Sequence, residues 1–283
     1  MKQISIIITL LAIFLISCKD PALEPVSQNS LVIEGWIENG YYPVVFVTRS
    51  LPVSYDSQST FDIANCVERW AKVTVSDGEM TETLYGVADY STIPPFYYTS
   101  SFLVGEAGKT YTLTVISKTD TITATTTIPQ ADAYADSITV EPSEHCDTLF
   151  NVYAYMPRQE SHFFQLFVRN FTIKDKYFLS SFLGAFTNNE LPLEGNRKLP
   201  VNNSRREFFS NDNYQVSFPK GAQIKVKVSA MEEEAYNFWK AYDSMLSLSR
   251  NPIFPNNDNL PTNISNGYGY WIGYASTIYN VEL

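Results

Sequence analysis

The chain has 283 residues, with 30 acidic against 20 basic side chains and a formal net charge of −10. That balance excludes a nucleic-acid-binding protein, because such affinity rests on Lys and Arg neutralising phosphates. Aromatics make up 14% of the residues, 19 Tyr and 18 Phe among them, against 12 Gly; this mixture packs well on pleated surfaces and points to a mainly β protein.

In chain order, Lys2 is followed by an uncharged run from Ile4 to Ile16, too short for a membrane-spanning helix of ~20 apolar residues. A charged start, a short apolar middle and a small residue before the cut describe a secretory signal peptide. A buried N-terminal helix would show a polar face, and this run has none. Leu15-Ile16-Ser17-Cys18 resembles the lipobox of bacterial lipoproteins, which implies cleavage of residues 1–17 and acyl chains on Cys18. Cleavage would remove Lys2 and no acid, leaving 266 residues with 19 basic and 30 acidic side chains, a net −11. Residues 18–30 are polar, contain proline and lack periodicity, as a flexible tether does. Lys19-Asp20 resembles the surface-export signal of lipoproteins in bacteria with starch-utilisation-type systems. The expected address is therefore the outer membrane, held by lipid and facing outward from the cell. Each buried acyl methylene contributes about 0.8 kcal/mol to such an anchor.

Residues 31–129 read as an N-terminal β-sandwich, immunoglobulin-like or transthyretin-like, of about seven short strands. The strands are Leu31 to Ile37, Val44 to Val47, Ala71 to Val75, Thr81 to Val87, Phe96 to Ser101, Thr110 to Val115 and Thr121 to Ile128. Asn39-Gly40 and Asp77-Gly78 supply turn signals, and Ser50 to Asn65 is the longest loop. At Pro129-Gln130-Ala131-Asp132 the alternation lapses, which sets a domain boundary.

Residues 130–283 read as a second, C-terminal β-rich sandwich domain. Its strands are expected at Ser137 to Val140, Leu149 to Tyr155, Phe163 to Val168, Tyr177 to Phe186 and Gln223 to Val228, with a loop over Asn188 to Arg206. One amphipathic helix near 230–248 completes it. Ser229 and Glu232 form a capping-box pattern, and Met231, Ala235, Phe238, Trp239, Tyr242, Met245 and Leu246 make an apolar stripe. That stripe reads as core.

Cys66 and Cys146 are an even pair in an exported chain, which invites a disulfide across the two domains; two separate small buried thiols are the alternative. Glu141, Glu144, His145, Cys146 and Asp147 are the densest potential ligands, yet one His beside one Cys lacks the paired spacing of a zinc site. No metal and no cofactor is therefore expected. The chain carries no Gly-x-Ser-x-Gly, His-Glu-x-x-His or phosphate-binding Gly loop. Aromatic density peaks at Tyr41-Tyr42, at Phe96-Tyr97-Tyr98, which reads as core, and at Tyr268, Tyr270, Trp271 and Tyr274. For the last group two readings stay open, core packing and contact with a ligand or partner. Asp147-Thr148-Leu149, like the triplets at Thr121, Ser137 and Ser244, resembles the O-glycosylation acceptor of such bacteria, and Thr148 is the loop candidate.

An ordered set of segments then resembles one family. It runs from Leu31-Val32-Ile33-Glu34-Gly35-Trp36-Ile37 through Ala71 to Gly78, Gly108 to Val115 and Thr125 to Pro129. It continues with Tyr236-Asn237-Phe238-Trp239, Asn251-Pro252-Ile253-Phe254, Thr262-Asn263-Ile264 and Gly267-Tyr268-Gly269-Tyr270. Together they are similar to the bacterial lipoproteins called domain of unknown function 4249. The resemblance implies a TonB-dependent outer-membrane receptor as partner, since members are typically encoded beside one, and it supplies no catalytic residues. The expected function is a non-enzymatic, lipid-anchored accessory of TonB-dependent transport that binds a ligand or the receptor. A surface adhesin or structural lipoprotein, and an envelope hydrolase, are the alternatives.

Overall fold

The computed structural model describes residues 30–50, 65–118, 120–144, 146–161, 163–191, 197–203, 216–249 and 260–283. Cys18, the leader, the tether to residue 29, most of the loop after Ser50, His145, His162 and Asn251 to Phe254 lie outside the described residues.

The first half supplies β1 (Leu31–Glu38), β2 (Val44–Arg49), β3 (Lys72–Ser76), β4 (Thr81–Thr83), β5 (Tyr85–Ala88), β6 (Phe96–Thr99), β7 (Thr110–Ser117) and β8 (Asp120–Thr127). The second half supplies β9 (Ser137–Ser143), β10 (Cys146–Tyr155), β11 (Phe163–Asn170), β12 (Leu179–Thr187), a 3-10 turn (Asn188–Glu190), β13 (Lys198–Val201), β14 (Phe218–Pro219), β15 (Gln223–Met231), the helix α1 (Glu233–Ser249) and β16 (Tyr268–Glu282). The protein is mainly β, as its composition implies.

Strict alternation places Tyr111, Leu113 and Val115 of β7 inward and the threonines between them outward. The run expected as one strand from Thr81 to Val87 is two: β4 pairs with β3 and β5 with β6. Leu84 between them is buried, so the chain changes sheet there to keep it covered. The 188–206 region, expected as loop, contains the 3-10 turn and β13.

The described strands form three sheets. The largest has the order β12-β11-β15-β16-β1-β2-β6-β5; the others are β4-β3-β7-β8 and a sheet in which β10 is flanked by β9, β13 and β14. The long β16, read from sequence only as an aromatic Gly-rich tail, joins the two halves. Its residues 268–274 run parallel to β1, and its residues 275–282 run antiparallel to β15. Asn263 clips this strand to the second sheet: its side chain accepts from Trp271 N at 3.0 Å and donates to the carbonyls of Trp271 (2.8 Å) and Thr125 (3.2 Å).

One face of the large sheet packs on the two smaller sheets, in a sandwich arrangement around a continuous apolar core. Ile33, Ile37, Val45, Val73, Leu113 and Trp271 belong to it on one side; Val152, Phe164, Val226 and Phe218 belong to it on the other. Gly35 makes room for Trp271 on the neighbouring strand, since a Cβ there would lie 2.9 Å from the indole. The opposite face carries Tyr270, Ile272, Tyr274, Phe167 and Met231, and α1 lies against it with Ala235 in the same cluster. The expected capping box is not formed at Ser229. Strand β15 continues through Met231, Ser229 Oγ meets Ser276 Oγ at 2.8 Å, and Glu232 Oε2 accepts from Thr127 N. Sheet pairing takes the serine first, so the helix begins after it.

Candidate functional site

Between α1 and the outer face of β1 and β16 lies a cavity of about 460 Å³, within the range of small-molecule sites. Its position follows from strand periodicity. On β1, Leu31, Ile33 and Ile37 point into the sandwich core, so Val32, Glu34, Trp36 and Glu38 point to the helix side. The register sets Glu34 beside Tyr270, Trp36 beside Ile272 and Glu38 beside Tyr274. Tyr268, Tyr270, Ile272 and Tyr274 share that face and line the cavity with Glu34 and Trp36.

The helix builds the facing wall from Phe238, Trp239, Tyr242 and Met245, one stripe at three- to four-residue spacing. Phe238 packs on Tyr270 with ring centroids 4.7 Å apart, and Trp239 meets Tyr242 edge-on at 5.7 Å. Trp239 Nε1 donates to Tyr274 Oη at 2.9 Å, which pins the helix to the sheet. The stripe read as core therefore divides. Ala235 is buried, whereas Phe238, Trp239, Tyr242 and Met245 are half-buried around the cavity.

Two carboxylates of β1 meet contrasting surroundings. Glu38 is buried and paired with Lys227 Nζ at 3.0 Å, and Lys227 also lies over the rings of Phe167 (4.6 Å), Phe178 (5.0 Å) and Tyr274 (5.8 Å). Among the described residues Glu38 Oε1 finds no hydrogen-bond partner. Glu34 is exposed on the cavity side of β1, and the partial loss of hydration beside the aromatic wall pushes its carboxyl above the usual range. Among the described residues Glu34 has no hydrogen-bond or ion-pair partner. Burial likewise raises the Tyr270 and Tyr274 hydroxyls well above the ordinary phenol value, with nearby carboxylates adding to the effect.

The residues singled out from sequence separate accordingly. Tyr268, Tyr270 and Tyr274 line the cavity. Trp271 does not: it faces the opposite side, fully buried in the sandwich core, with Nε1 donating to the Tyr111 carbonyl at 3.1 Å, and its contact role is withdrawn. Cys66 and Cys146 are not bridged to each other. Cys66 sits beside β2, where its carbonyl accepts from Arg49 N, whereas Cys146 opens β10 in a different sheet with Sγ 3.2 Å from Thr148 Oγ1. Thr148 is exposed on β10. Glu141 is engaged by Lys198 Nζ at 2.6 and 2.8 Å, and no group of three or more metal-ligating side chains gathers among the described residues. Tyr98 is buried, as read: its hydroxyl donates to the Glu68 carbonyl at 2.9 Å and accepts from Ala71 N at 3.1 Å. No described helix is long and apolar enough to cross a membrane. Glu34, Trp36 and the helix aromatics were not singled out as site residues; the acid that interrupts Leu31 to Ile37 was their one local signal.

A family model described as Domain of unknown function (DUF4249) matches residues 20–279. No curated protein matches. Among solved structures, a two-domain fibronectin type III segment from chicken tenascin is 10% identical, covering 72% of this chain and 90% of its own, with a TM-score of 0.21.

Proposed function

The chain belongs to the DUF4249 family, and from that membership we propose that it is a lipid-anchored outer-membrane accessory of a TonB-dependent transport system, binding a ligand without catalysis. The observation that carries the reading is the aromatic cavity between α1 and β1–β16. It has the size and the apolar, few-polar-group lining of a binding site. Hydrolysis of a glycoside would call for two facing carboxylates; the cavity wall supplies Glu34, while Glu38 is committed to Lys227. The lipobox-like Leu15 to Cys18 supplies the anchor and Lys19-Asp20 the outward address. Confinement to one membrane raises effective concentration, so a weak contact with the receptor suffices.

The test is an affinity pull-down in mild detergent from cells making the tagged chain, with Cys18→Ala as control. Stoichiometric recovery of a TonB-dependent receptor, lost in the control, is expected. Recovery of no receptor, or only of further copies of the chain, would move the function to adhesion or chemistry.

A further inference from the structure

We propose that the cavity takes an organic cation, a primary or quaternary ammonium carried on an apolar body. This rests on the cavity being a binding site and assigns its ligand class. The wall is aromatic on both sides, with Trp36 and Tyr270 on the sheet and Phe238 and Trp239 on the helix, and it contains no Lys, Arg or His among the described residues. Its single charge is Glu34, which lacks a compensating partner there. A carboxylate at an aromatic wall with no counter-charge favours a ligand that restores its charge balance, and ring faces add attraction for a cation. An anion would be repelled.

The molecule contains its own precedent. Four residues along β1, on the same face, Glu38 holds the Lys227 ammonium against the rings of Phe167, Phe178 and Tyr274. Glu34 repeats the carboxylate-and-aromatics arrangement without a lysine among the described residues, and a ligand ammonium completes it.

The lipidated mature chain in non-ionic detergent is titrated with benzyltrimethylammonium, its uncharged isostere neopentylbenzene and benzoate, followed by tryptophan fluorescence and calorimetry. The cation is expected to bind at least ~10-fold more tightly than the isostere, and benzoate not measurably. Glu34→Gln should lower cation affinity at least ~10-fold and leave the isostere unchanged, with melting temperature held as the folding control. Trp36→Leu should weaken both. Equal affinity for cation and isostere, or a Glu34→Gln chain whose cation affinity is unchanged, overturns the assignment of a cation held by Glu34 and leaves the cavity as a binding site. Failure of all three probes to bind overturns both.

Discussion

Gly269 is held at φ +99° where β16 lies against β1, and a Cβ there would fall 1.8 Å from the Ile33 carbonyl oxygen. A side chain meets both a strained backbone and a steric overlap. Gly269→Ala should therefore cost about 1–3 kcal/mol from backbone strain alone, read as a lower denaturant midpoint with loss of cavity binding. A second residue-scale expectation concerns Lys227. Lys227→Met leaves Glu38 charged and buried without its partner, a loss of about 3–5 kcal/mol, whereas replacing both members by apolar residues is far milder; a double-mutant cycle by urea unfolding measures the difference. Period-two alternation is legible at this scale and explains why Trp271 parts from Tyr270. What the sequence did not reveal is which face of the strand becomes core, because that depends on a neighbour 236 positions away in the Gly35–Trp271 pairing.

At the scale of elements, β16 and α1 together create the site. The helix was readable from its stripe and its acidic first turn. Its start was not, because Ser229 hydrogen-bonds Ser276 across the sheet rather than capping the helix. The long β16 escaped notice because glycines and tyrosines masked its pattern, although Ala275 to Val281 carries β-branched residues. Its anchoring by Asn263 gives a clean expectation. Asn263→Ala deletes three hydrogen bonds, each with a net contribution of about 1 kcal/mol, so hydrogen exchange across β16 should accelerate while β9 and β10 stay protected. Unchanged exchange in β16 would show that the clip is dispensable.

For the whole molecule, side chains flanking the two edge strands of the eight-stranded sheet join across the fold. Laid flat, eight strands would span roughly 34 Å at ~4.8 Å per step. Yet Asp89, directly after edge strand β5, binds both Lys176 and Tyr177, just ahead of the other edge strand β12. The sheet must therefore curl. Lys176, with Ser91 and Tyr177, holds the Asp89 carboxyl far below the usual carboxylate range, and burial and Asp89 push the Tyr177 hydroxyl up to about 12. A depressed folded value means that Asp89 contributes stability above its unfolded value near 3.9. That contribution is lost as pH falls below 3.9 towards the folded value. Melting temperatures of the parent chain and Asp89→Asn should thus converge as pH drops through this window; a gap that persists there would count against the tie. Strand content was legible from composition and alternation. The sheet shared by the two halves was not, because β16 pairs with β1 from the far end of the chain.

The cavity is the claim on which most else depends, and a crystal structure of the mature chain grown with benzyltrimethylammonium tests it directly. The expected result is ligand density between α1 and the β1–β16 face, with the ammonium against Glu34 and the ring among Trp36, Tyr270 and Phe238. Density elsewhere on the molecule, or helix side chains repacked to close the space, would contradict it.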